Sequence, residues 1–86
     1  GNPDAQYNLG LMYFNGEGGL PQDSAKAVEF YLKSALQGNA DAQNNLGSMY
    51  VLGEGVEQSN SEAKKWYTKS AAQGNADAKA NLEVVK

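Results

Sequence analysis

Apolar positions along the chain return first with a helical spacing and then with a longer one. Ala42, Leu46, Gly47 and Tyr50 fall at i, i+4, i+5 and i+8, one face of a helix. Ala5, Leu9, Gly10 and Tyr13 repeat that face. A second kind of stripe is made by Ala27, Phe30, Tyr31 and Ala35, and again by Ala63, Trp66, Tyr67 and Ala71. The pattern predicts five helices, at about 3–14, 24–37, 40–52, 60–73 and 76–85.

The punctuation agrees with these elements. Asn2 and Asn39 can cap, and Pro3 stands at a first helical position, where its missing N–H does no harm. Asp4 and Asp41 place negative charge in the first turn, as the helix dipole favours. Gly16 and Gly53 are expected to end the first helices in a left-handed conformation, and Gly38 and Gly74 to end the second. Asn15-Gly16 would signal a hairpin between strands, but its flanks are helical. The second helices begin near Asp23 and Ser59, and Ser59 with Glu62 forms a capping box. Glu29 and Lys33 make an outward i,i+4 pair, worth a few tenths of a kcal/mol at best.

The longer spacing is an internal repeat. Gly1-Asn2-Pro3-Asp4-Ala5-Gln6 returns as Gly38-Asn39-Ala40-Asp41-Ala42-Gln43 and as Gly74-Asn75-Ala76-Asp77-Ala78-Lys79. The separations are 37 and 36 residues, the extra residue lying between Gly18 and Ala25. One domain, 1–86, is therefore expected: repeat 1 at 1–37, repeat 2 at 38–73, and a half repeat at 74–86 as a C-terminal cap. Gly10 and Gly47 recur inside helices, where glycine costs about 0.8–1 kcal/mol relative to alanine. Such a repeated loss points to close approach of a neighbouring helix, under Phe30/Tyr31 and Trp66/Tyr67. In the third copy those motif positions hold Glu83 and, for Tyr50, Lys86.

Composition narrows the chemistry. With no cysteine and no histidine, a disulfide framework and the usual zinc sites are excluded, and so is the commonest general base at neutral pH. The net charge is -3, with seven lysines and no arginine, and no basic stripe for nucleic acid appears. No apolar run spans a membrane. A chain of this size buries only about 60% of its unfolded surface, so marginal stability is expected. No leader segment is apparent, but the chain opens at a repeat boundary, and the compartment stays open.

The repeat resembles the Sel1-like family, close cousins of the tetratricopeptide repeat. The motif positions here are Gly38, Ala42, Leu46-Gly47, Tyr50, Gly53-Glu54-Gly55, Ala63, Tyr67 and Ala71-Ala72. The first copy supplies Gly1, Ala5, Leu9-Gly10, Tyr13, Gly16-Glu17-Gly18, Lys26-Ala27, Tyr31 and Ala35. The resemblance implies an all-α fold, a right-handed α/α superhelical solenoid of antiparallel helix pairs that scaffolds protein complexes. Members act as adaptors in endoplasmic-reticulum degradation, in bacterial signalling and envelope assembly, and in bacterium–host contact. A cysteine-rich branch was linked to penicillin binding or β-lactam hydrolysis, and this chain lacks its cysteines.

Asn8, Asn45 and Asn81 share one repeat position, which in tetratricopeptide repeats lies on the first helix and faces the concave groove. Asparagines there can hold a peptide backbone or carboxylate through paired donors and acceptors. A two-carboxylate clamp also needs cations, and only Lys79 is placed on a first helix to help. Gln6, Tyr7, Leu11, Gln43, Asn44 and Ser48 would line the same groove. The competing reading makes the asparagines a ladder that bonds neighbouring repeats. A binder leaves their amides open, and a ladder bonds them to backbone or to each other. Met12 and Met49 are adaptable contacts or core filler. The Gly16-Glu17-Gly18 and Gly53-Glu54-Gly55 loops lack the context of a phosphate cradle, and Glu17 and Glu54 stand in equivalent loops that repeats spread apart. Lys64, Lys65 and Lys69 read as a solvated positive patch.

The sequence thus predicts a non-catalytic scaffold for protein–protein interaction, binding a peptide or partner protein through Asn8, Asn45, Asn81, Tyr7, Gln43 and Asn44. No cofactor, metal, nucleic acid or membrane insertion is expected. Self-association through exposed repeat ends is a further expectation, because solenoids usually need about three repeats. The alternative is a structural fragment or engineered solenoid without binding activity, favoured by a start at a repeat boundary and an end after half a repeat. A β-lactam-binding or hydrolysing enzyme is the minor alternative, open to test with a chromogenic β-lactam.

Overall fold

The computed structural model describes residues 2–85. Gly1, which opens the first motif copy, and Lys86, in the Tyr50 place of the third, lie outside the described residues. Five helices follow one another: α1 (Pro3–Asn15), α2 (Ser24–Leu36), α3 (Ala40–Leu52), α4 (Asn60–Ala72) and α5 (Ala76–Val84). Their ends lie within one residue of those that the spacing predicts, and no strand occurs among the described residues.

The caps form as their chemistry requires. The Asn2 side chain accepts from the Asp4 and Ala5 amides, and Asn39 and Asn75 accept from those of Ala42 and Ala78. Gly16 and Gly53 end α1 and α3 at φ 71° and 68°, a conformation that costs a residue with a Cβ. Ser59 caps α4 by accepting from the Glu62 amide, but the other half of the capping box is absent. The Ser59 N–H donates to the Tyr50 carbonyl instead, as Asp23 N–H does to that of Tyr13, so each loop is tied back to its first helix.

Each helix packs on its neighbours in the chain, α1 on α2, α2 on α3, α3 on α4 and α4 on α5, in a body of 36 × 25 × 17 Å. The result is an all-helical solenoid with the first helices side by side in one layer and the second helices in the other. Gly10 and Gly47 explain how close the hairpins lie. A Cβ on Gly10 would stand 2.6 Å from the Tyr31 ring, and one on Gly47 would stand 2.8 Å from the Tyr67 ring. The two tyrosines, not Phe30 and Trp66, are therefore what the glycines admit.

The main core is a joint between repeats. Ala27, Val28, Tyr31 and Ala35 of α2 meet Ala42, Leu46 and Met49 of α3 and Trp66 of α4. Burying a side chain such as Leu46 contributes about 1.5–3 kcal/mol. A smaller cluster of Ala63, Tyr67 and Ala78 joins α4 to α5. Phe30 is only half-buried, stacked on Tyr13 at 5.6 Å, whereas Trp66 in the same repeat position is in the core. Met49 is core and Met12 half-buried.

Candidate interaction surface

Polar side chains at fixed repeat positions stitch the helices. Within each hairpin, the Ser34 hydroxyl donates to the Pro3 carbonyl at 2.6 Å, and Ser70 to that of Ala40 at 2.7 Å. Gln37 donates to the Gln6 side-chain oxygen, and Gln73 to that of Gln43 at 2.9 Å. Between repeats, Asn39 donates to the Asp4 carboxylate at 3.0 Å and Asn75 to that of Asp41 at 3.1 Å. These bonds hold the first helices in register and so set the surface on which the asparagines stand.

The six residues expected at the interaction surface fall into three situations. Asn8 is exposed and its side chain has no hydrogen-bond partner among the described residues. Asn45, Asn81, Tyr7 and Asn44 are half-buried and bonded in pairs across the repeats. Asn45 Nδ2 donates to the Tyr7 hydroxyl at 3.4 Å, and Asn81 Nδ2 donates to Asn44 Oδ1 at 3.0 Å. Gln43 is buried beneath them, donating to the Ala35 carbonyl at 3.1 Å and accepting from Gln73. A buried amide of this kind is satisfied by such partners and holds helices together.

The Tyr7 ring lies against Tyr31 at 6.0 Å. Burial pushes the Tyr7 phenol above its ordinary value, the Asp41 charge adds to this, and the bond from Asn45 opposes it. Tyr31 is raised by burial, with the Asn45 amide opposing and Tyr7 adding. Ser48 pairs with the Tyr67 hydroxyl at 2.8 Å. On the other layer, the Lys65 and Lys69 ammonium groups lie 5.4 and 5.0 Å from the centre of the Trp66 ring, and Lys65 also meets Glu62 at 3.8 Å. That patch is built from cation–π and ion-pair contacts as well as solvent.

Sequence singled out Gln6 and Gln43 as groove lining and Asp4 and Asp41 as first-turn charges, but neither Gln37 and Gln73 nor the stitches that these residues form. Their signal was present, since Gln37 and Gln73, and likewise Asp4 and Asp41, recur at one repeat position each. Among the described residues no group of three or more acidic, histidine or cysteine side chains is placed to hold a metal ion. No described helix is long and apolar enough to cross a membrane.

Stacked helical hairpins with a periodic amide row define a helical-repeat protein of the solenoid class. The Sel1 repeat family model matches residues 3–39 and 40–75, and the chain belongs to that family. It is similar to c5321, a protective antigen present in uropathogenic Escherichia coli strains displaying an SLR fold, with 49% identity and a TM-score of 0.86. It is also similar to a Sel1 repeat protein from Oxalobacter formigenes, with 42% identity and a TM-score of 0.91. The alignments cover 88% and 94% of this chain but only 16% and 33% of those two proteins, so the chain spans a minor part of their length. No curated protein matches the chain. Sel1 repeats generally serve as protein-interaction scaffolds and are typically non-enzymatic.

Proposed function

We propose that the chain is a non-catalytic interaction module whose first-helix face binds an extended peptide segment of a partner protein. One observation carries this reading: the asparagine pairs leave half of each amide unused. Asn45 and Asn81 use their nitrogens and keep their side-chain oxygens, while Asn44 uses its oxygen and keeps its nitrogen. The one buried side-chain nitrogen or oxygen lacking a partner among the described residues is Trp66 Nε1, so the unused amide groups reach solvent. Alternating donors and acceptors suit an extended backbone, which presents one of each per residue. Asn8 and Tyr7 extend the row, and Gln43 holds the helices beneath it.

The test is selection of binders from a random-peptide display library, followed by titration against variants. Asn8→Ala combined with Asn81→Ala is expected to weaken a selected peptide at least tenfold, with the helical circular dichroism unchanged. Lys65→Ala, on the other layer, is expected to leave affinity unchanged. The reverse pattern, or failure to select any peptide, would reject the proposal. The bonds from Asn45 to Tyr7 and from Asn81 to Asn44 favour a second reading, in which the row only holds the repeats together. In that case Asn81→Ala lowers stability and no peptide is found. A chromogenic β-lactam is expected to remain intact in either case.

A further inference from the structure

Charge is divided between the two layers. Helices α2 and α4 carry five of the seven lysines against two acidic residues, Glu29 and Glu62, whereas α1 and α3 carry Asp4 and Asp41 and no lysine. The ion pairs among the described residues follow the same division. Glu29 takes Lys26 and Lys33, Glu62 takes Lys65, and none involves Asp4 or Asp41.

The two carboxylates stand beside the amide row. Asp4 and Asp41 precede Asn8 and Asn45 by four residues, one helical turn of about 5.4 Å, so each pair shares a face. Both aspartates are exposed. Each accepts through Oδ1 from the asparagine that opens the next repeat, Asn39 at 3.0 Å and Asn75 at 3.1 Å. Each keeps Oδ2 without a hydrogen bond among the described residues. An amide donor leaves the formal charge of a carboxylate in place. Burial, and after it the Asp41 charge, raises the Tyr7 phenol, and Tyr7 accepts from Asn45. The field of Asp41 therefore reaches a bonded pair of the row.

The spacing of the row sets a register. Asp77 and Asn81 continue the pattern on α5. Packed neighbouring helices lie about 8–10 Å apart. A chain in polyproline form advances about 9 Å per three-residue turn, places every third side chain on one side, and makes no internal hydrogen bonds. One turn of such a chain matches one repeat, and its free backbone groups suit the unused amides.

On the reading that the row binds peptide, we propose that the segment it takes is basic and polyproline-like, with a lysine or arginine at every third residue. Its backbone meets the asparagines, and each cation reaches one helical turn to the free oxygen of an aspartate. An acidic segment is repelled by the same carboxylates.

Fluorescence titration of the whole chain with capped peptides of repeated triplets tests this. Lys-Ser-Gln repeats are expected to bind, Gln-Ser-Gln repeats to bind more weakly, and Glu-Ser-Gln repeats not to bind. A peptide of the first composition with its lysines gathered at one end is expected to bind roughly threefold more weakly than the triplets. Asp4→Asn with Asp41→Asn keeps an acceptor for Asn39 and Asn75, so the stitches persist. That double variant is expected to bind Lys-Ser-Gln repeats roughly fivefold more weakly, with a flatter salt dependence, and Gln-Ser-Gln repeats as before. Glu29→Gln with Glu62→Gln makes the same change in net charge on the other layer and is expected to leave both affinities unchanged. Equal losses in the two double variants overturn the proposal, because net charge alone then attracts the peptide. Equal losses for the lysine and uncharged peptides overturn it as well, because the aspartates then serve only the fold. Lysines that bind as well when gathered as when spaced overturn the register. A library-selected acidic or uncharged peptide that binds through Asn8 and Asn81, while Lys-Ser-Gln repeats fail, overturns this proposal alone. If no peptide of any kind binds, the peptide reading falls with it.

Discussion

Helices α1 and α3 have the same length and nearly the same motif, and they differ in what lies on one side of them. In α3, Ala42, Leu46 and Met49 are sealed by Ala27, Val28, Tyr31 and Ala35 of the preceding hairpin. In α1 the same stripe is Ala5, Leu9 and Met12, and no described helix covers Ala5 or Leu9. The glycine-against-tyrosine contact within each hairpin, by contrast, is the same in both copies. Motif residues of this chain therefore serve two purposes. Gly10, Gly47, Tyr31 and Tyr67 build the hairpins, while the alanine and leucine positions, together with Tyr31 again, build the next joint. Stability in such an array is a sum of hairpin and joint terms, and a residue counts only where its joint is made.

Truncating the leucines gives the largest expected contrast. Leu46→Ala is expected to cost about 2–5 kcal/mol, the range for a fully buried leucine, and Leu9→Ala below about 1 kcal/mol. Urea unfolding measures both, and equal losses would break the comparison. The glycines should show the opposite behaviour, with both copies equally sensitive. Gly10→Ala and Gly47→Ala each gain helix propensity but force a methyl against a tyrosine ring, for a net loss on the order of 1 kcal/mol. Stabilisation of either would mean that its ring moves aside.

Alkaline pH acts on the joint between the repeats. The phenols of Tyr7 and Tyr31 are raised above their ordinary value by burial, so folding favours their neutral forms. For a raised value the contribution is complete below about pH 10 and is lost as pH climbs through the folded-state values. The urea midpoint is expected to fall above about pH 10, and to fall less in Tyr7→Phe. The smallest effect belongs to the outer face of α2. Glu29 meets Lys26 at 3.8 Å and Lys33 at 3.9 Å with all three side chains about half-exposed, and Glu29→Gln is expected to cost less than about 0.5 kcal/mol. A larger loss would mean that the second-helix surface contributes more than these exposed pairs suggest.

The fold was legible because its signals are local and repeated. Asn caps, left-handed glycines and two apolar stripes specify helices without knowledge of their neighbours, and the observed ends agree to a residue. Which aromatic side chain meets the glycines was not legible. Phe30 and Tyr31 are adjacent, and only the angle at which α2 lies on α1 selects the tyrosine. The polar row was legible as a set of positions but not as a set of bonds. Asn8, Asn45 and Asn81 are identical by motif, yet one is open and two are bonded, because bonding depends on a partner in the preceding repeat. Gln43 could not be told from a surface glutamine, since its burial comes from α2 and α4 together.

Contacts that run mainly between chain neighbours also decide how the molecule assembles in time. Most of the packing forms without waiting for a distant segment to return, so the chain closes mainly short loops while folding, and the entropy lost before those contacts form is small. Folding is expected in the microsecond-to-millisecond range typical of helical proteins rich in local contacts. The same connectivity lets a weakly packed helix such as α5, of which only Ala78 is buried, open while the joint around Leu46 stays closed. Amide exchange is then slowest in α3, and the helix that folding can most easily do without is the one with the least packing against its neighbour.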